Sequence, residues 1–454
     1  MNDLSYFHPA SEVGRMNLLE SKILNRLSTV GIIGLGYVGL PLAATVAQCG
    51  FRVIGFDVNT SMVHNLNGGF SHIEAVTSDA LTKLVSRNLF RASEDMRELA
   101  GCDIVCICVP TPLSKQREPD LSPVTDTGRT IAAHLRRDQL IILESTTYPG
   151  TTDEVLKPIL ETGGLISGRD FFMGYSPERE DPGNKNFTTA AIPKVVSGDG
   201  WIAAHLVETF YETFIDNVVP VSSIKTAEVV KITENVFRAV NIALINELKV
   251  IYTAMGIDIW EVIAAAKTKP FGYMPFYPGP GLGGHCIPVD PFYLTWKSRE
   301  FDLPTRFIEL AGEINQNMPK YVVARLEEAL DSHFSLALSQ ASVLVIGAAY
   351  KKNVPDVRES PSIKIMDLLR KKLSRLAYHD PFVSSISVGH SGSGALFESV
   401  ELTTERLSTS DAVLILTDHD SIDYGTIASH ARLVVDTRNA LRSRNIHCKR
   451  LVSA

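Results

Sequence analysis

A glycine pattern near the N-terminus constrains the fold of this chain more than any other feature. The sequence GLGYVG at residues 34–39 follows a short apolar run, residues 29–33, and precedes the helix-forming residues 40–48. G-x-G-x-x-G between a strand and a helix is typical of a dinucleotide-binding βαβ unit. A second apolar run ends at Asp57, 18 residues after Gly39, near the spacing of about 20 at which such units carry an acid. The pattern predicts a parallel α/β sheet.

Each residue type in the motif has a physical reason to be there. Gly34 permits the tight turn, and Gly36 lets a pyrophosphate approach the helix N-terminus, whose unpaired N–H groups and dipole favour an anion. Asp57 is suited to accept hydrogen bonds from an adenosine ribose and to repel a 2′-phosphate, which favours NAD over NADP. A tight turn without a cofactor is the alternative. The complete predicted cofactor loop is Gly34, Gly36, Tyr37, Val38 and Gly39.

Composition excludes several classes of protein. The chain has 454 residues and a formal net charge of −7, so a broad basic surface for nucleic acid is not expected. No apolar run has the length of a membrane span, and the acidic N-terminal segment lacks the order of a signal peptide. We therefore expect a cytoplasmic protein. Cys106 and Cys108 lie in an apolar strand without a neighbouring histidine, so no metal site is predicted.

Alternation of strands and helices predicts an α/β fold with two Rossmann-like parallel-sheet domains joined by a central helical domain that contains a long helix. Residues 1–27 look like a poorly specified extension. The predicted domains are a cofactor-binding one at 28–215, a helical dimerisation and catalytic one at 216–325, and a second Rossmann-like one at 326–454. In the last, Gly347-Ala348-Ala349 replaces the glycine fingerprint, so it should bind a different nucleotide.

The long helix is predicted from a run of residues without glycine or proline between Pro220 and Gly256. Apolar residues within this run recur at near-helical spacing, which predicts one helix of roughly thirty residues. A helix of that length is expected to be buried on more than one face. It is therefore predicted to link domains and to form the core of a homodimer or a larger homo-oligomer.

Two predicted strands of the first sheet end in polar loops. Residues 104–109 lead into Val109, Pro110 and Thr111, and residues 139–143 lead into a loop that contains Thr147. In open α/β sheets, ligands bind at the carboxyl ends of strands. These residues are therefore predicted to line the cofactor site.

A second glycine-rich segment, residues 280–286, ends in a cysteine. Gly281 and Gly283 allow close approach of the backbone or a positive φ, and they leave Cys286 accessible to a bound molecule. Cysteine is a strong nucleophile even as a minor thiolate fraction, and its addition to an aldehyde makes oxidation to an acid easier. The alternative is a buried cysteine in a turn.

Three polar residues are candidates to assist this thiol. Lys231 and Asn235 are spaced i, i+4 on the long helix and project from one face, where an ammonium and an amide can stabilise an oxyanion. By spacing alone, a solvated helix face is the favoured interpretation. Asp290, four residues after the cysteine, is suited to position or deprotonate a water, and spacing alone does not decide its role.

Taken in this order, the motifs resemble the UDP-glucose/GDP-mannose dehydrogenase family of nucleotide-sugar 6-dehydrogenases. The resemblance covers the chain from about residue 28. It is carried by Gly34-Leu35-Gly36-Tyr37-Val38-Gly39-Leu40-Pro41, Tyr175-Ser176-Pro177-Glu178, Lys231-x-x-x-Asn235, Gly283-Gly284-His285-Cys286 and Lys351-Lys352 with Asp356-Val357-Arg358-Glu359-Ser360.

The resemblance implies a UDP-sugar substrate bound by residues 326–454 and a four-electron oxidation that consumes two NAD. It implies that Cys286 is the nucleophile, that Lys231 and Asn235 stabilise the oxyanion, and that Asp290 acts on a catalytic water. Further implied roles are a position near that water and the nicotinamide for Thr147, general acid/base for Glu178, and substrate binding for Glu178, Lys231, Asn235, Lys351 and Arg358.

The local sequence resembles the branch that acts on UDP-N-acetylhexosamines. Pro-Glu-Arg at residues 177–179 and histidine at position 285 differ from the glucose-type pattern, so Arg179 joins the substrate candidates and the second family glutamate has no clear counterpart. Tyr277 and Gly279 lie in a segment most like UDP-N-acetylglucosamine 6-dehydrogenases. The alternatives are the same chemistry on UDP-N-acetylmannosamine, UDP-N-acetylgalactosamine or UDP-glucose, a two-electron dehydrogenase, and a non-catalytic NAD-binding sensor.

Overall fold

The computed structural model describes residues 10–114, 118–179, 189–284, 286–389 and 394–454. Internal contacts divide the chain into two compact units. The N-terminal unit comprises Met1–Glu234 and Trp296–Asp302, and the C-terminal unit comprises Asn235–Thr295 and Leu303–Ala454. Each unit contains its own parallel sheet.

The N-terminal unit alternates strands and helices as the sequence predicts. A π-helical segment, Thr151–Leu156, leads directly into its sixth helix. The elements are α1 Ala10–Leu24, β1 Thr29–Ile33, α2 Gly39–Gln48, β2 Arg52–Phe56, α3 Thr60–Asn67, α4 Ser78–Ser86, β3 Phe90–Ser93, β4 Ile104–Ile107, α5 Ser122–Ala132, β5 Leu140–Leu143, α6 Lys157–Leu160, β6 Phe172–Tyr175, β7 Lys194–Gly198, α7 Trp201–Glu212 and β8 Val218–Pro220.

Eight strands form one sheet in the order β3-β2-β1-β4-β5-β6-β7-β8. Every neighbouring pair is parallel except β6 with β7, which is antiparallel. All residues of β4 and β5 are buried, as expected for a parallel sheet covered on both faces. The order of strands reverses between β1 and β4, so the loops after these strands lie at the edge where α/β sheets bind ligands.

Residues 10–24, which belong to the segment that the sequence suggested to be a poorly specified extension, form helix α1. Met16, Leu19 and Ile23 of α1 are buried in the same hydrophobic cluster as β1 and α7. Their spacing of three and four residues places them on one helix face. Lys22 adds an ion pair with Asp103 at 3.0 Å. This apolar spacing is visible in the sequence.

The predicted long helix is α8, Ile224–Ala254, with 31 residues. It begins in the N-terminal unit and ends in the C-terminal unit. Phe237, Leu244 and Ile251 on this helix are 48%, 49% and 45% exposed in the isolated chain. Because they recur every seven residues, they form one apolar stripe, which we call the α8 stripe.

The C-terminal unit contains the second Rossmann-like sheet, in the order β10-β9-β13-β14-β15 with all pairs parallel. The predicted fold class is thereby confirmed. Within the described residues, no helix combines the length and apolar composition that a membrane span requires. The elements are α9 Ile259–Ala266, α10 Asp290–Ser298, α11 Arg306–Phe334, β9 Ser342–Ile346, α12 Pro361–Arg370, β10 Arg375–His379, β11 Ser385–Val388, β12 Ala395–Glu398, α13 Thr404–Thr409, β13 Ala412–Ile415, α14 Tyr424–His430, β14 Val434–Asp436 and β15 Leu451–Ser453.

Candidate functional site

The loop between β1 and α2 is shaped by two glycines that the protein's own backbone requires. Gly34 has a φ of +90°, and a Cβ there would lie 2.7 Å from the carbonyl oxygen of Cys108. A Cβ on Gly39 would lie 1.8 Å from the carbonyl oxygen of Gly34. Gly36 differs, because a Cβ at this position would meet nothing within 4 Å. The backbone at Gly36 therefore faces open space.

The start of α2 carries no side-chain cap. Val38 is the N-cap residue and makes no capping hydrogen bond, and the Tyr37 side chain is 39% exposed. Asp57, after β2, accepts hydrogen bonds from the backbone N–H of Leu35 and of Asn59, each at 2.9 Å. The carboxylate thus lies beside the glycine loop. Each carboxylate oxygen has more than one lone-pair direction, so acceptor capacity remains for a ligand.

The loops after β4 and β5 are joined by side-chain hydrogen bonds. The Thr111 hydroxyl donates to the Thr146 carbonyl at 2.7 Å, and the Ser145 hydroxyl donates to the Val109 carbonyl at 2.7 Å. Pro110, between them, is exposed. Thr147 is fully buried, and its hydroxyl has no hydrogen-bond partner among the described residues. An orphaned hydroxyl of this kind is costly unless a ligand or water satisfies it.

These residues fit a bound NAD. The open space at Gly36 leaves room for a pyrophosphate, and the uncapped start of α2 offers N–H groups and a favourable dipole. Asp57 lies where a ribose hydroxyl would donate. The unsatisfied Thr147 hydroxyl supplies a polar group in the loop after β5. Thus four independent features of the N-terminal unit suit this cofactor.

Glu178, the candidate general acid/base after β6, belongs to a buried ionic cluster. One carboxylate oxygen lies 2.9 Å from the Lys194 ammonium, and the other accepts from the backbone N–H of Arg179 at 2.6 Å. Lys194 also contacts Glu144 at 2.7 Å, and the Tyr211 hydroxyl donates to Glu144 at 2.5 Å. We call Glu144, Glu178, Lys194 and Tyr211 the Lys194 cluster.

Burial and charge act against each other in the Lys194 cluster. Burial raises the pKa of Glu144, and the Glu178 charge adds to this, although Lys194 lowers it. Burial disfavours the charged form of Lys194, but the two carboxylates outweigh it and raise the pKa of Lys194 above its ordinary value. Burial also raises the pKa of Tyr211. Lys194 is therefore an ammonium across the working pH range.

Arg179, a predicted substrate-binding residue, already has protein partners. Its guanidinium forms an ion pair with Glu234 of α8 at 2.5 Å and donates to the Pro193 carbonyl at 2.7 Å. Substrate contact by this side chain would require exchange of the Glu234 partner. The neighbouring residues 180–188 and His285, which also bear on the predicted branch, lie outside the described residues.

Lys231 and Asn235 do not lie on a solvated helix face. The two residues are 7% and 3% exposed, which excludes the interpretation that spacing alone favoured. One turn before Lys231, the Glu228 carboxylate accepts three hydrogen bonds, from the N–H of Gly150 at 2.5 Å and from the N–H and hydroxyl of Thr152 at 2.9 and 2.7 Å. Helix α8 is thereby fastened to the loop after β5, which contains Thr147.

Glu228 is a titratable group that the sequence did not reveal. Burial raises the pKa of Glu228 to about 7, against the lowering by its hydrogen bonds from Thr152 and Gly150. Three donors are thus too few to offset removal of this carboxylate from water.

The glycine-rich loop before Cys286 packs tightly against the second Rossmann-like sheet. A Cβ on Gly283 would lie 2.6 Å from Tyr350, and a Cβ on Gly281, whose φ is +137°, would lie 3.1 Å from Pro361. The N–H of Gly284 donates to the Arg358 carbonyl at 2.9 Å. The thiol loop is therefore attached to the segment that carries the basic substrate candidates.

Cys286 lies in the turn that leads into α10, four residues before Asp290, the first residue of the helix. Its carbonyl accepts from the N–H of Val289 at 3.1 Å and of Asp290 at 2.8 Å. The buried Asp290 carboxylate accepts from the Asn235 amide at 2.6 Å. Cys286 itself is partly buried, so the alternative of a fully buried cysteine does not apply. The C-terminal unit thus brings Cys286, Asp290 and Asn235 together.

The remaining substrate candidates surround this loop to different extents. Tyr277 is 50% exposed and stacks on Trp260 with ring centroids 6.0 Å apart. A Cβ on Gly279 would lie 2.6 Å from the Arg438 guanidinium. Arg358 is bound to Asp356 at 2.6 Å and remains 46% exposed, and Lys351 is half-buried. Arg358 is therefore accessible to a phosphate.

Sequence reasoning missed Glu144, Lys194 and Tyr211 of the Lys194 cluster, together with Glu228. A signal existed for Glu144, because an acid directly after four apolar strand residues is buried at the carboxyl end of the sheet. Lys194 and Tyr211 had no comparable signal. Their partner Glu144 is distant in sequence. Lys194 reaches it through the antiparallel pairing of β6 with β7, and Tyr211 reaches it from α7.

Profiles of the UDP-glucose/GDP-mannose dehydrogenase family match three segments of the chain. The NAD binding domain matches residues 28–215, the central domain matches residues 225–317, and the UDP binding domain matches residues 344–443. The resemblance inferred from motifs is thereby confirmed.

Curated relatives and solved structures agree with the profiles. Protein CapL of Staphylococcus aureus is 36% identical over 421 residues, 91% of this chain and 96% of that protein. UDP-N-acetyl-D-glucosamine 6-dehydrogenase of Pseudomonas aeruginosa is 38% identical over 368 residues, 80% of this chain and 84% of that protein. A UDP-D-ManNAc dehydrogenase structure from Pyrococcus horikoshii has a TM-score of 0.84 at 32% identity, covering 94% of this chain and 98% of that chain.

Proposed function

The chain belongs to the UDP-glucose/GDP-mannose dehydrogenase family and is an NAD-dependent nucleotide-sugar dehydrogenase, and on this premise we propose that it oxidises the 6-hydroxyl of a UDP-N-acetylhexosamine to the uronic acid. The reaction removes four electrons and uses two NAD per sugar. UDP-N-acetylglucosamine is the favoured substrate, and the product would serve surface polysaccharide synthesis. We also retain the domain boundaries at 27/28, 215/216 and 325/326 and the cytoplasmic location as predictions.

The observation that carries this proposal is the group formed by Asn235, Asp290 and Cys286. Cys286 lies in the turn before α10, and its carbonyl accepts from the N–H of Asp290 at 2.8 Å, so one tight turn carries both the candidate nucleophile and the candidate base. The amide of Asn235 holds the Asp290 carboxylate at 2.6 Å. A two-electron dehydrogenase has no chemical use for this thiol, whereas oxidation of an aldehyde to an acid does.

The residues perform the steps in a fixed order. When bound, NAD supplies the acceptor for a hydride from the sugar C6 in each oxidation. Asp290 takes the hydroxyl proton through a water in the first oxidation, which leaves an aldehyde. The Cys286 sulfur then bonds to the aldehyde carbon, and Lys231 and Asn235 stabilise the resulting oxyanion. The second oxidation converts this thiohemiacetal to a thioester.

Hydrolysis completes the reaction. Water adds to the thioester carbon and the carbon–sulfur bond breaks. This step regenerates the Cys286 thiol and releases the carboxylate product. Glu178 and the buried Thr147 hydroxyl are the groups of the N-terminal unit that we assign to proton transfer and to positioning near the nicotinamide. Lys351 and Arg358 bind the diphosphate, since two cationic side chains match its charge.

Product stoichiometry tests the proposal directly. We expect two NADH per sugar consumed, with the highest kcat/KM for UDP-N-acetylglucosamine among that sugar, its manno and galacto epimers and UDP-glucose. A different best sugar would move the substrate and keep the chemistry. One NADH per sugar, with activity retained in Cys286→Ala, would establish a two-electron enzyme. NAD binding without turnover of any UDP-sugar would establish a sensor.

A homodimer through the α8 stripe is part of the proposal. Phe237, Leu244 and Ile251 present aligned apolar side chains, and a second copy of the same helix buries such a stripe in an isologous contact. Leu244→Glu places a charge in that contact and is expected to yield monomers in analytical ultracentrifugation. Leu396→Glu is the control, because it makes the same substitution at an exposed leucine on β12, outside the stripe. Unchanged dimers in Leu244→Glu would place the interface elsewhere.

A further inference from the structure

Lys194 connects two segments that the proposed chemistry uses. It is the first residue of β7 and is 6% exposed. Its ammonium lies 2.7 Å from Glu144, directly after β5, and 2.9 Å from Glu178, after β6. Glu144 is followed within three residues by Thr147. One cation therefore holds the carboxyl ends of two adjacent strands.

The groups around Lys194 come from several packed elements. Glu144 follows β5, Glu178 follows β6, and the Tyr211 ring of α7 lies with its centroid 5.3 Å from the ammonium. The buried Cys106 thiol of β4 and the buried Cys108 thiol, just after β4, also interact electrostatically with this group. The ammonium is thus the charge that offsets two carboxylates in this part of the N-terminal unit.

Stability is a weak explanation for such an arrangement. Burying charges costs several kcal/mol per ion, and replacing a buried ion pair by apolar residues of similar volume is often neutral or stabilising. A cluster that contributes little net stability is better explained by a role in the proposed reaction. Glu178 is the member assigned to that reaction, and it is the more exposed of the two carboxylates, 14% against 0% for Glu144.

We propose that Lys194 is a positioning residue that acts through Glu178, by fixing the orientation of this carboxylate and keeping it in the hydrogen-bond-accepting form. The inference rests on the proposed function. Both oxygens of Glu178 are then defined, one by the Lys194 ammonium and one by the Arg179 N–H. Glu144 pairs with the same ammonium, so its negative charge weakens the stabilisation of the Glu178 carboxylate by Lys194.

Two substitutions with opposite expected effects test this inference in the full-length enzyme. Lys194→Met removes the cation, so the acidic limb of the kcat/KM pH profile should move up by about one to three pH units, the usual effect of an adjacent opposite charge. Glu144→Gln removes the second carboxylate, so that Lys194 interacts with the Glu178 charge alone. The acidic limb should then move to lower pH. Lys194→Arg restores the charge and should return the limb towards the wild-type position.

Lys157→Met is the matched control. Lys157 forms an ion pair of 2.6 Å with Asp199 in the same unit and is not a member of the Lys194 cluster. Its profile should superimpose on that of the wild type. If Lys194→Met fails to fold, as judged by thermal unfolding, Glu144→Gln decides the question.

The outcomes separate this inference from the function on which it rests. Superimposable profiles for the wild type, Lys194→Met and Glu144→Gln, after correction for the folded fraction, would overturn the positioning role. A loss of kcat in Lys194→Met without movement of the limb would show a structural role only and would also overturn it. If the wild type itself forms no NADH from any UDP-sugar, the proposed function fails instead.

Discussion

The two Rossmann-like sheets of this chain begin in the same way. Gly34 after β1 and Gly347 after β9 both have positive φ, +90° and +87°. The N–H of Gly34 donates to the Phe56 carbonyl at 2.8 Å, and the N–H of Gly347 donates to the His379 carbonyl at 2.9 Å. In each sheet an aspartate follows the second strand and accepts from the glycine loop. The framework of the nucleotide turn is therefore present twice.

The two aspartates differ in what remains for a ligand. Asp57 is half-exposed and accepts two backbone hydrogen bonds. Asp380 is 3% exposed, and five donors surround it, namely the N–H groups of Ala348, Ala349, Phe382 and Val383 and the Nε2 of His419. The Nδ1 of His419 accepts from a backbone N–H, which assigns its proton to Nε2. The Asp380 carboxylate therefore serves the fold, since protein donors occupy both of its oxygens.

The comparison shows how one framework is opened or closed to a dinucleotide. A Cβ added to Gly36 would meet nothing within 4 Å, whereas Ala349, at the corresponding position of the second loop, is fully buried. A pyrophosphate therefore has room in the first loop and none in the second. Under the proposed function, Lys351 and Arg358, which lie beyond this loop, bind the diphosphate.

The largest effect is expected when the closed site loses its carboxylate. Asp380→Asn replaces an acceptor by a donor that faces buried N–H groups, each worth about 1–3 kcal/mol when left unsatisfied. The free energy of unfolding should fall by about 3 kcal/mol or more in chemical denaturation. Asp57→Asn, at the half-exposed counterpart, should cost less than about 1 kcal/mol. Equal losses at the two positions would contradict the contrast drawn here.

Filling the open loop should affect binding instead of folding. Gly36→Val occupies the space above the loop, so NAD affinity should fall at least about 100-fold, or roughly 2.7 kcal/mol, in calorimetric titration. UDP affinity should stay unchanged. Ala349→Gly is the mirror control and should alter neither affinity. A parallel loss of UDP binding in Gly36→Val would show that the two loops are not independent.

Two buried carboxylates give the comparison a pH dependence. Asp380 is buried, but its hydrogen bonds, including that from His419, outweigh burial and lower its pKa. Glu228 has three donors, and burial raises its pKa to about 7. The folded protein therefore holds a proton on Glu228 that the unfolded chain releases near pH 4.5, so this contribution to stability is full at low pH and is lost as the pH rises through 7.

Glu228→Gln checks that sign. The stability of the wild type relative to the variant should fall by about 2 kcal/mol between pH 5 and pH 8.5, measured as the difference in free energy of unfolding. Glu154→Gln is the control, because its carboxylate is 44% exposed. A difference that stays constant with pH, or grows, would mean that the hydrogen bonds from Gly150 and Thr152 keep Glu228 charged.

The smallest effect is expected for cofactor choice. Asp57→Asn removes a charge that repels a 2′-phosphate, so the ratio of kcat/KM for NAD to that for NADP should fall about tenfold, or roughly 1.4 kcal/mol. The gain in NADP use should stay small, because the glycine loop contains no cation that would bind the 2′-phosphate. An unchanged ratio would assign the discrimination to another residue.

Sequence reasoning can identify neighbouring residues where the chemistry is local. Gly34, Gly36 and Asp57 lie within one βαβ unit, and Lys231 and Asn235 lie on one helical turn, so spacing alone indicates their neighbours. The burial of Lys231 and Asn235 was not evident from spacing, since the pattern of one helix does not show which of its faces packs against the rest of the protein.

The rest required the order of strands. Lys194 meets Glu144 across 50 residues because β5, β6 and β7 are neighbours and β7 runs antiparallel to β6. Asp380 meets His419 across 39 residues because β10 and β13 flank β9. No residue pattern encodes such pairs, since many alternating folds would place the same residues apart.

The three glycines of the first loop are under different kinds of selection. Gly34 and Gly39 are required by the protein's own backbone, so their replacement is penalised whether or not a ligand is present. No neighbouring atom of the described chain constrains Gly36, since a Cβ there would meet nothing within 4 Å. The second sheet keeps the first glycine of this turn as Gly347 and has Ala349 at the second position. The first glycine therefore reports the shape of the turn, and the second reports whether the turn leaves room for a ligand.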